Sequence, residues 1–421
     1  MMTNNHQPFA QQFDKCREIL FTETRIALNS TFDCVPVTNL KYDRYEELLW
    51  TGNEEGYCNS YYGPEFQRYT AFRVTDKSGI RQIESLENGI LILTQNSLRC
   101  QLRRGVPVFT HTSNNTVDLQ TFVHYSPTNI LMAGRQNMID FDLTTKRERS
   151  VSPVIDGGCE LLKKHSKLIC ASSGHGEIHF FDPSTMIHVN AVKPHTTAIS
   201  DFDIWENTLV TCGFSNGRQG ISGDQFLMVY DLRQMKVLQP VQTLFIPKLI
   251  KFLPNKMSMP RAVIASSFGE MQVLDTVFVD SVNPTGPLTH VYQVQSDGAA
   301  ITSMDISSTG ECMCLGDAAG ALHVMTTNLS GSLINEYSKQ TEFADPLEVL
   351  PPISFNDQCT PLSIIPMPYC ENKLLSSWPE ELSKKKFRKT PIINPEILKN
   401  MQMQGSIGYA PNPNPPRRRR T

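Results

Sequence analysis

The sequence repeats itself seven times, and this repeat constrains the fold more than any other feature. Each unit contains a β-rich run, a short polar turn that often includes glycine, and a second β-rich run. Residues 168–182 and 263–275 are two copies that correspond almost position for position. The second runs end at Tyr62, Leu102, Asp142, Asp182, Asp231, Asp275 and Thr326, which gives spacings of 40, 40, 40, 49, 44 and 51 residues.

This spacing is typical of the four-stranded blades of a β-propeller, whose repeats are about 40–45 residues long. A single blade leaves both of its faces open, and only a closed ring of blades covers them all. We therefore predict an all-β fold, a seven-bladed WD-repeat-like β-propeller over residues 25–340, after an N-terminal extension of residues 1–24. Residues 25–28 are predicted to pair into the last blade and close the ring. The competing interpretation, a pair of β-sandwiches made of seven unrelated hairpins, is disfavoured by the even spacing.

The composition fits a soluble globular chain with a sizeable core. Hydrophobic residues make up 40% of the 421 residues, and the net charge is −3, so no global field draws the protein to nucleic acid or to a membrane. No run approaches the ~20 apolar residues that span a bilayer, and the first residues do not resemble a secretory signal. The 11 cysteines include no C-x-x-C pair, which favours a reduced cytosolic or nuclear chain over a disulfide-bonded one.

The last 81 residues have a different composition. Residues 341–421 hold 13 of the 27 prolines, and proline removes the backbone donors that a sheet needs. The same segment carries many large apolar side chains, which a purely solvated linker does not need. We predict a Pro-rich extended linker whose apolar anchors dock on the propeller itself or on a partner. Its basic runs, 384–389 and 417–420, fit either a phosphate-binding segment or a solvated charge cluster.

The sequence offers no candidate catalytic motif. The patterns G-x-x-x-x-G-K-[ST], H-E-x-x-H and G-x-S-x-G are absent, and no Asp is followed two residues later by Glu, the pair that a two-metal exonuclease requires. The nearest patterns, Asp140-Phe-Asp142 and Asp201-Phe-Asp203, lie inside the repeats. There an Asp is expected to end a strand or to hold a tight turn through its side chain.

The histidines also receive structural interpretations. His195 precedes a repeat and is expected to form hydrogen bonds within a blade. His175 and His179 could share a strand neighbourhood, but two histidines without a third ligand do not predict a metal site. The sequence therefore predicts no catalytic, cofactor-binding or metal-ligating residue.

Short motifs at the first blade, in the repeats and in the tail resemble one particular family. The segments that carry the resemblance are 48–53, 62–70, 209–215, 229–233, 335–338, 376–382 and 408–413. They are similar to the catalytic subunit of the poly(A)-nuclease deadenylation complex, and the resemblance covers nearly the whole chain. The Gly-His and Trp-Asp signatures of WD repeats are mostly missing.

The resemblance implies that the chain is the N-terminal, non-catalytic part of such a subunit. Family members continue into an inert ubiquitin-hydrolase-like domain and a 3′-exoribonuclease that uses Mg²⁺, and neither is contained in these residues. The expectation is therefore no enzyme activity and no cofactor on this chain. The family's linker binds a pseudokinase adaptor subunit, which recruits poly(A)-binding protein and poly(A) mRNA. The propeller would help to engage that ribonucleoprotein in the cytoplasm and its P-bodies, with the nucleus as a second compartment and no membrane partner.

Three aromatic residues of the linker are the candidate partner-binding residues. Trp378 is the first choice, because buried aromatic side chains dominate binding energy at interfaces. Phe355 and Tyr409 are secondary choices. The opposing interpretation is that Trp378 packs back onto the propeller and stabilises its fold. The alternative function is an unrelated WD-repeat-like propeller scaffold for protein–protein assembly with no RNA role.

Overall fold

The computed structural model describes residues 21–27, 35–63, 66–75, 78–217, 220–254, 261–276, 290–327, 337–341 and 343. The chain divides into two units, residues 1–342 and 343–421, and the strands described below all lie in the first. Within these ranges the regular structure is entirely β, and no helix long and apolar enough to cross a membrane occurs among them. The predicted all-β class is confirmed.

The strands form seven sheets, and each sheet is one blade. In blades 1 to 3, from the inner to the outer strand, they are β2 (Val37–Tyr42), β3 (Leu48–Asn53), β4 (Tyr57–Tyr62) and β5 (Gln67–Arg73); β6 (Ile80–Leu86), β7 (Gly89–Thr94), β8 (Leu98–Gln101) and β9 (Pro107–His111); and β10 (Leu119–His124), β11 (Asn129–Gly134), β12 (Asn137–Asp142) and β13 (Arg147–Pro153). In blades 4 and 6 they are β14 (Cys159–Lys164), β15 (Ile169–Ser173), β16 (Ile178–Phe181) and β17 (His188–Val192); and β24 (Leu249–Phe252), β25 (Arg261–Ala265), β26 (Glu270–Asp275) and β27 (His290–Gln293).

Blades 5 and 7 depart from the simple order. Blade 5 contains β18 (Ala198–Trp205), β19 (Thr208–Gly217), β20 (Gly220–Gly223), β21 (Phe226–Asp231), β22 (Lys236–Val237) and β23 (Val241–Gln242). Blade 7 contains β28 (Ile301–Ile306), β29 (Cys312–Asp317), β30 (Ala321–Thr326) and, as its outer strand, β1 (Thr22–Ala27). The extra hairpin β19–β20 accounts for the long 49-residue spacing before the end of blade 5.

The blades close into a ring. Each innermost strand contacts the innermost strand of the next blade, and β28 of blade 7 contacts β2 of blade 1. The third strands end at Tyr62, Gln101, Asp142, Phe181, Asp231, Asp275 and Thr326, within one residue of the ends predicted from the repeats. The seven-bladed propeller is confirmed, and the sandwich interpretation is wrong.

Pairing between the two ends of the propeller joins blade 7 to the start of the chain. Strand β1 runs antiparallel to β30 from the pair Thr22↔Thr326 to the pair Ala27↔Ala321. The predicted pairing of residues 25–28 is confirmed up to residue 27, and residue 28 lies outside the described ranges. The ring of His323 connects the strands further, because its Nδ1 lies 2.9 Å from Glu23 Oε1 and its Nε2 lies 3.1 Å from Asp317 Oδ2.

Burial follows the position of a strand within its blade. Every residue of β7, the second strand of blade 2, is buried, because neighbouring blades cover both faces of the sheet. Between blades 1 and 2, for example, Trp50 packs in a cluster with Ile80 and Ile83. The outer strand β13 is almost fully exposed and carries Arg, Glu and Ser side chains, which protect the free edge from pairing with another chain.

Antiparallel order gives the ring two distinct faces. The turns between second and third strands lie on one face together with the connections between blades, and we call this the upper face. The remaining turns lie on the lower face. Ser338 and Lys339 donate their backbone N–H groups to the carbonyl of Tyr45, at 3.1 and 2.8 Å, in the lower turn between β2 and β3. Residues 338 and 339, near the end of the first unit, therefore lie at the lower face beside blade 1.

Candidate functional site: the channel and the outer surfaces of the ring

Each innermost strand has one edge, at the central channel, that pairs with no other strand. The backbone N–H groups on this edge need other acceptors, because a buried N–H without an acceptor is costly. Side chains of the preceding blade accept these hydrogen bonds, and we call each such contact a clasp. In blades 1, 2 and 3 the clasps are formed by Asn39, Gln82 and Thr121, which bind the N–H groups of Ile83, Phe122 and Leu162 at 3.0, 2.8 and 3.2 Å. All three acceptors are neutral.

At the other four junctions between blades, charged side chains form the hydrogen bonds to the backbone of the neighbouring blade. Asp201 and Asp305 accept from the N–H groups of Ile250 and Tyr42, at 3.1 and 2.9 Å. At the two remaining junctions a lysine donates instead to a carbonyl of the next blade, and these bonds are Lys163 to Phe202 and Lys248 to Ile301. Every junction of the ring therefore has at least one polar contact between inner strands.

The charged residues also pair with one another across the channel wall. Lys163 Nζ lies 3.2 Å from carboxylate oxygens of both Asp201 and Asp203, and Lys251 Nζ lies 3.6 Å from Asp305. Burial alone would raise the pKa of Asp203, but the charges of Lys163 and Lys251 and the N–H of Phe252 outweigh it, so that the pKa is lowered. Burial likewise opposes the charge of Lys251, but Asp305 and Asp203 raise its pKa. Asp203 and Lys251 are thus held in their charged forms.

These contacts correct the expectation for Asp201 and Asp203. Asp142 holds a turn as predicted, because its Oδ1 accepts from the N–H of Thr144 at 2.8 Å. Asp140 instead accepts from the Tyr125 hydroxyl at 2.6 Å, and Asp201 and Asp203 hold lysine and backbone groups of neighbouring blades. The roles are structural, but the contacts of Asp201 and Asp203 run between blades, which a sequence repeat cannot show.

His195 has the predicted role within a blade. Its Nδ1 lies 2.6 Å from Asp224 Oδ2 and its Nε2 lies 3.0 Å from Thr211 Oγ1. The order Thr, His, Asp is that of a nucleophile relay, but the exposed fraction of Thr211 is 0% and that of His195 is 1%, so no substrate reaches the hydroxyl. Gly213 makes room for this contact, since a Cβ there would come within 2.8 Å of the His195 ring.

The described ranges contain neither a cluster of three metal-ligating side chains nor an exposed thiol. No group of three or more His, Cys, Asp or Glu side chains that could hold a metal ion occurs there. The seven cysteines among these residues are free and buried. Burial raises the pKa of the Cys170 thiol to about 12, which makes this thiol a poor nucleophile.

A group of exposed apolar side chains lies on the upper face at blades 5 and 6. Leu244 and Ile246 belong to the connection between these blades, and Phe268 lies in the turn between β25 and β26. Phe268 is 81% exposed and Leu244 67%, in an otherwise well-packed propeller. Large exposed apolar groups often mark interaction surfaces. The repeat pattern does not indicate this group, although a phenylalanine in a Ser-Ser-Phe-Gly turn is an unusual residue for that position.

The predicted partner-binding residues Trp378, Phe355 and Tyr409 lie outside the described residues, and their role stays a prediction. What the described part defines is a WD-repeat-type propeller whose channel groups bind one another and whose most exposed large apolar side chain, Phe268, lies in a turn on the upper face.

Comparison with known proteins identifies the family. The model of the family described as PAN2 N-terminal matches residues 25–326, and the chain belongs to this family. It is 34% identical over 382 residues to proteins of Gallus gallus and Homo sapiens named PAN2-PAN3 deadenylation complex catalytic subunit PAN2. A fungal counterpart from Phaeosphaeria nodorum is 31% identical over 391 residues. These alignments cover 90–91% of this chain but only 31–34% of the relatives, so the chain spans about a third of their length.

A solved structure supports the fold independently. The Neurospora crassa Pan2 WD40 domain superposes with a TM-score of 0.65 at 24% sequence identity. The superposition covers 75% of this chain and 98% of the fungal domain.

Proposed function

We propose that this chain is the N-terminal, non-catalytic part of a poly(A)-tail-shortening deadenylase and acts as a scaffold within its complex. The observation that carries the proposal is the extent of the similarity to the relatives named as catalytic subunits of PAN2-PAN3 deadenylation complexes. It covers 90% of the chain, whereas residues 1–326 are 326/421 or 77% of it, so the similarity continues beyond the propeller into the tail.

In this proposal the tail binds the adaptor. Residues 341–421 bind the pseudokinase adaptor subunit, the PAN3 of the relatives' names, and the adaptor connects the chain to poly(A)-binding protein and poly(A) mRNA. The complex acts on cytoplasmic mRNA, with P-bodies and the nucleus as further locations. Catalysis by Mg²⁺ belongs to a nuclease domain outside these residues.

The test has two arms that use the complete 421-residue chain. Purified chain is expected to capture purified adaptor subunit from solution. The chain alone, incubated with 3′-labelled poly(A) and Mg²⁺, is expected to leave the RNA intact. Failure of capture would contradict the scaffold role, and metal-dependent release of AMP would reveal a catalytic site on this chain.

The propeller has a second role in this proposal, which is to help engage the poly(A) ribonucleoprotein. The exposed Phe268 and Leu244 on the upper face support it. The double variant Phe268→Ser, Leu244→Ser is expected to weaken retention of the chain and adaptor on poly(A) coated with poly(A)-binding protein. Val151→Ser is the matched control, because Val151 is also exposed but lies on the outer strand of blade 3. Equal retention of all three proteins would favour a propeller without an RNA-linked role.

A further inference from the structure

Two histidines meet at the rim of blade 4. His179 lies on the third strand, β16, and His188 begins the outer strand, β17. His179 Nδ1 and His188 Nε2 share a hydrogen bond of 3.1 Å, in which the donor depends on the tautomer, whereas the centroids of the two rings are 5.2 Å apart. The facing nitrogen atoms are therefore the closest part of the pair, and the rings diverge away from them.

A β-bulge creates this pair. The pairs Ile178↔Val192, His179↔Ala191 and Phe180↔Asn190 follow a regular antiparallel register, which would next place Val189 opposite Phe181. The register shifts between Phe180 and Phe181, and His188 becomes the partner of Phe181 instead. Opposite residues share a face of the sheet, and so do residues two apart on one strand. The bulge thus brings His188 onto the face of His179, where a regular strand would have turned it away.

Neighbouring side chains hold both rings in place. The remaining nitrogen of His179, Nε2, lies 3.5 Å from Glu177 Oε2, and Lys193 Nζ holds the other oxygen of that carboxylate at 3.1 Å. Phe181 packs edge-on against the His188 ring with centroids 5.6 Å apart. A carboxylate that binds the second nitrogen of an imidazole is the usual support of a metal-ligating histidine, because it fixes the ring and increases its basicity.

We propose that His179 and His188 form a two-histidine binding site for a divalent transition-metal ion such as Zn²⁺, Cu²⁺ or Ni²⁺. With metal–nitrogen distances of about 2.0–2.1 Å, nitrogens 3.1 Å apart subtend an angle of about 100° at the metal, between the values for octahedral and tetrahedral sites. Imidazole is a preferred ligand of these ions and a poor one for Mg²⁺ and Ca²⁺. Two protein ligands leave the other positions of the metal open to water or to a donor from another molecule.

The blade architecture does not require this pair. The same register shift occurs between the third and outer strands of blades 1, 2 and 3. The positions that correspond to His179 and His188 are occupied there by Asn59 and Arg68, by Arg99 and Pro107, and by Ile139 and Glu148. None of these pairs combines two imidazoles, so the bulge is general and the ligand pair is specific to blade 4.

The experiment titrates the complete chain with Zn²⁺ alone and measures binding by calorimetry, together with the melting temperature. The chain is expected to bind the ion and to melt at a higher temperature in its presence, because a ligand of the native state stabilises it. His188→Ala is expected to lose this binding, and Glu177→Gln to weaken it about tenfold through the loss of the supporting carboxylate. His188 is exposed, so its replacement should leave the unliganded melting temperature unchanged.

His175→Ala is the matched control, since His175 is another exposed histidine of blade 4 outside the pair. It should bind Zn²⁺ as the natural chain does. With Cu²⁺ as the probe, electron paramagnetic resonance should report two imidazole nitrogens in the natural chain and one in His188→Ala. Equal Zn²⁺ binding by the natural chain and His188→Ala would overturn the proposal, as would a natural chain whose melting temperature does not respond to the ion.

Discussion

The ring forms hydrogen bonds to the backbone of its innermost strands in two ways. In blades 1 to 3, the neutral arc, the clasps on backbone N–H groups are amide and hydroxyl oxygens of Asn39, Gln82 and Thr121. In blades 4 to 7, the charged arc, carboxylates accept hydrogen bonds from backbone N–H groups and lysines donate hydrogen bonds to backbone carbonyls. An ion pair between Lys41 and Glu84 also occurs at the neutral arc, at 3.3 Å, but there neutral oxygens hold the backbone.

The difference concerns what each clasp depends on. A hydrogen bond to a neutral oxygen contributes about 1 kcal/mol and depends on no charged group, whereas a bond to a charged group contributes about 1.5–3 kcal/mol. A buried carboxylate needs a cation beside it, since an unpaired buried charge is strongly destabilising. The contacts of the charged arc should therefore contribute more to the free energy of unfolding, depend more on one another and be sensitive to pH. Those of the neutral arc should contribute less and be insensitive to pH.

The largest effect is expected for Lys163→Met. Lys163 is the shared partner of Asp201 and Asp203, and its replacement leaves two poorly solvated carboxylates without their ion-paired lysine. Because the three side chains keep 10–20% of their exposure, we expect the low end of the cost of breaking a buried ion pair, about 3 kcal/mol in the free energy of unfolding. Denaturant titration measures it.

The neighbouring lysine provides the control. Lys164 is exposed and donates only to the Tyr125 carbonyl, at 2.8 Å. Lys164→Met should change the free energy of unfolding by less than about 0.5 kcal/mol. Equal effects of the two substitutions would mean that the charged arc does not stabilise the ring.

The next largest difference between the two arcs is expected in the dependence of stability on acid pH. The pKa of Asp203 in the folded state lies below its ordinary value of 3.8, so its contribution is present above pH 3.8 and is lost as the pH falls through the folded value. Asp203→Asn should therefore lower stability at pH 7 and flatten the decline of stability in acid. The free energy of unfolding at a series of pH values from 7 to 3 measures this. A decline as steep as that of the natural chain would assign the acid sensitivity to other carboxylates.

The smallest effect is expected in the neutral arc. Thr121→Val keeps the shape of the side chain but removes the acceptor of the Leu162 N–H and the donor to Gln82 Oε1. We expect a loss of about 1–2 kcal/mol that is the same at pH 7 and pH 4, because no titrating group is involved. Denaturant curves at both pH values decide the matter. A loss that grows in acid would show that the arcs are coupled.

Much of the fold could be predicted from the sequence because a propeller repeats its hydrophobic pattern. Residues 263–275 and 168–182 show the same two buried strands and turn. The ends of the third strands could therefore be predicted to within one residue. The pairing of Arg25 and Ile26 into the last blade was predictable because a ring needs a closing strand. The cause of the greater length of blade 5 could not be predicted from the repeat, since the hairpin β19–β20 inserts into a turn without altering the strands around it.

The polar contacts could not be predicted in the same way. A register shift between the first two strands occurs in every blade except blade 6, as at Ile199/Asp201, and it decides which side chains face the channel. A strict alternation of side chains between the two faces of the strand therefore places Asp201 on the wrong face, away from its contacts with the neighbouring blades. The pairing of His179 with His188 depends on a second shift, and the sequence suggested His175 as the neighbour instead.

The most direct test of the scaffold role compares a channel variant with a tail variant in adaptor capture. In our proposal the channel residues stabilise the ring, and Trp378 of the tail binds the adaptor. Trp378→Ala should keep the melting temperature of the natural chain and weaken capture, by the ~2 kcal/mol or more that an aromatic hot spot commonly contributes. Lys163→Met, measured well below its lowered melting temperature, should capture the adaptor fully. A large drop in melting temperature for Trp378→Ala with capture intact would contradict this, and would mean that the tail supports the propeller and that the partner binds elsewhere.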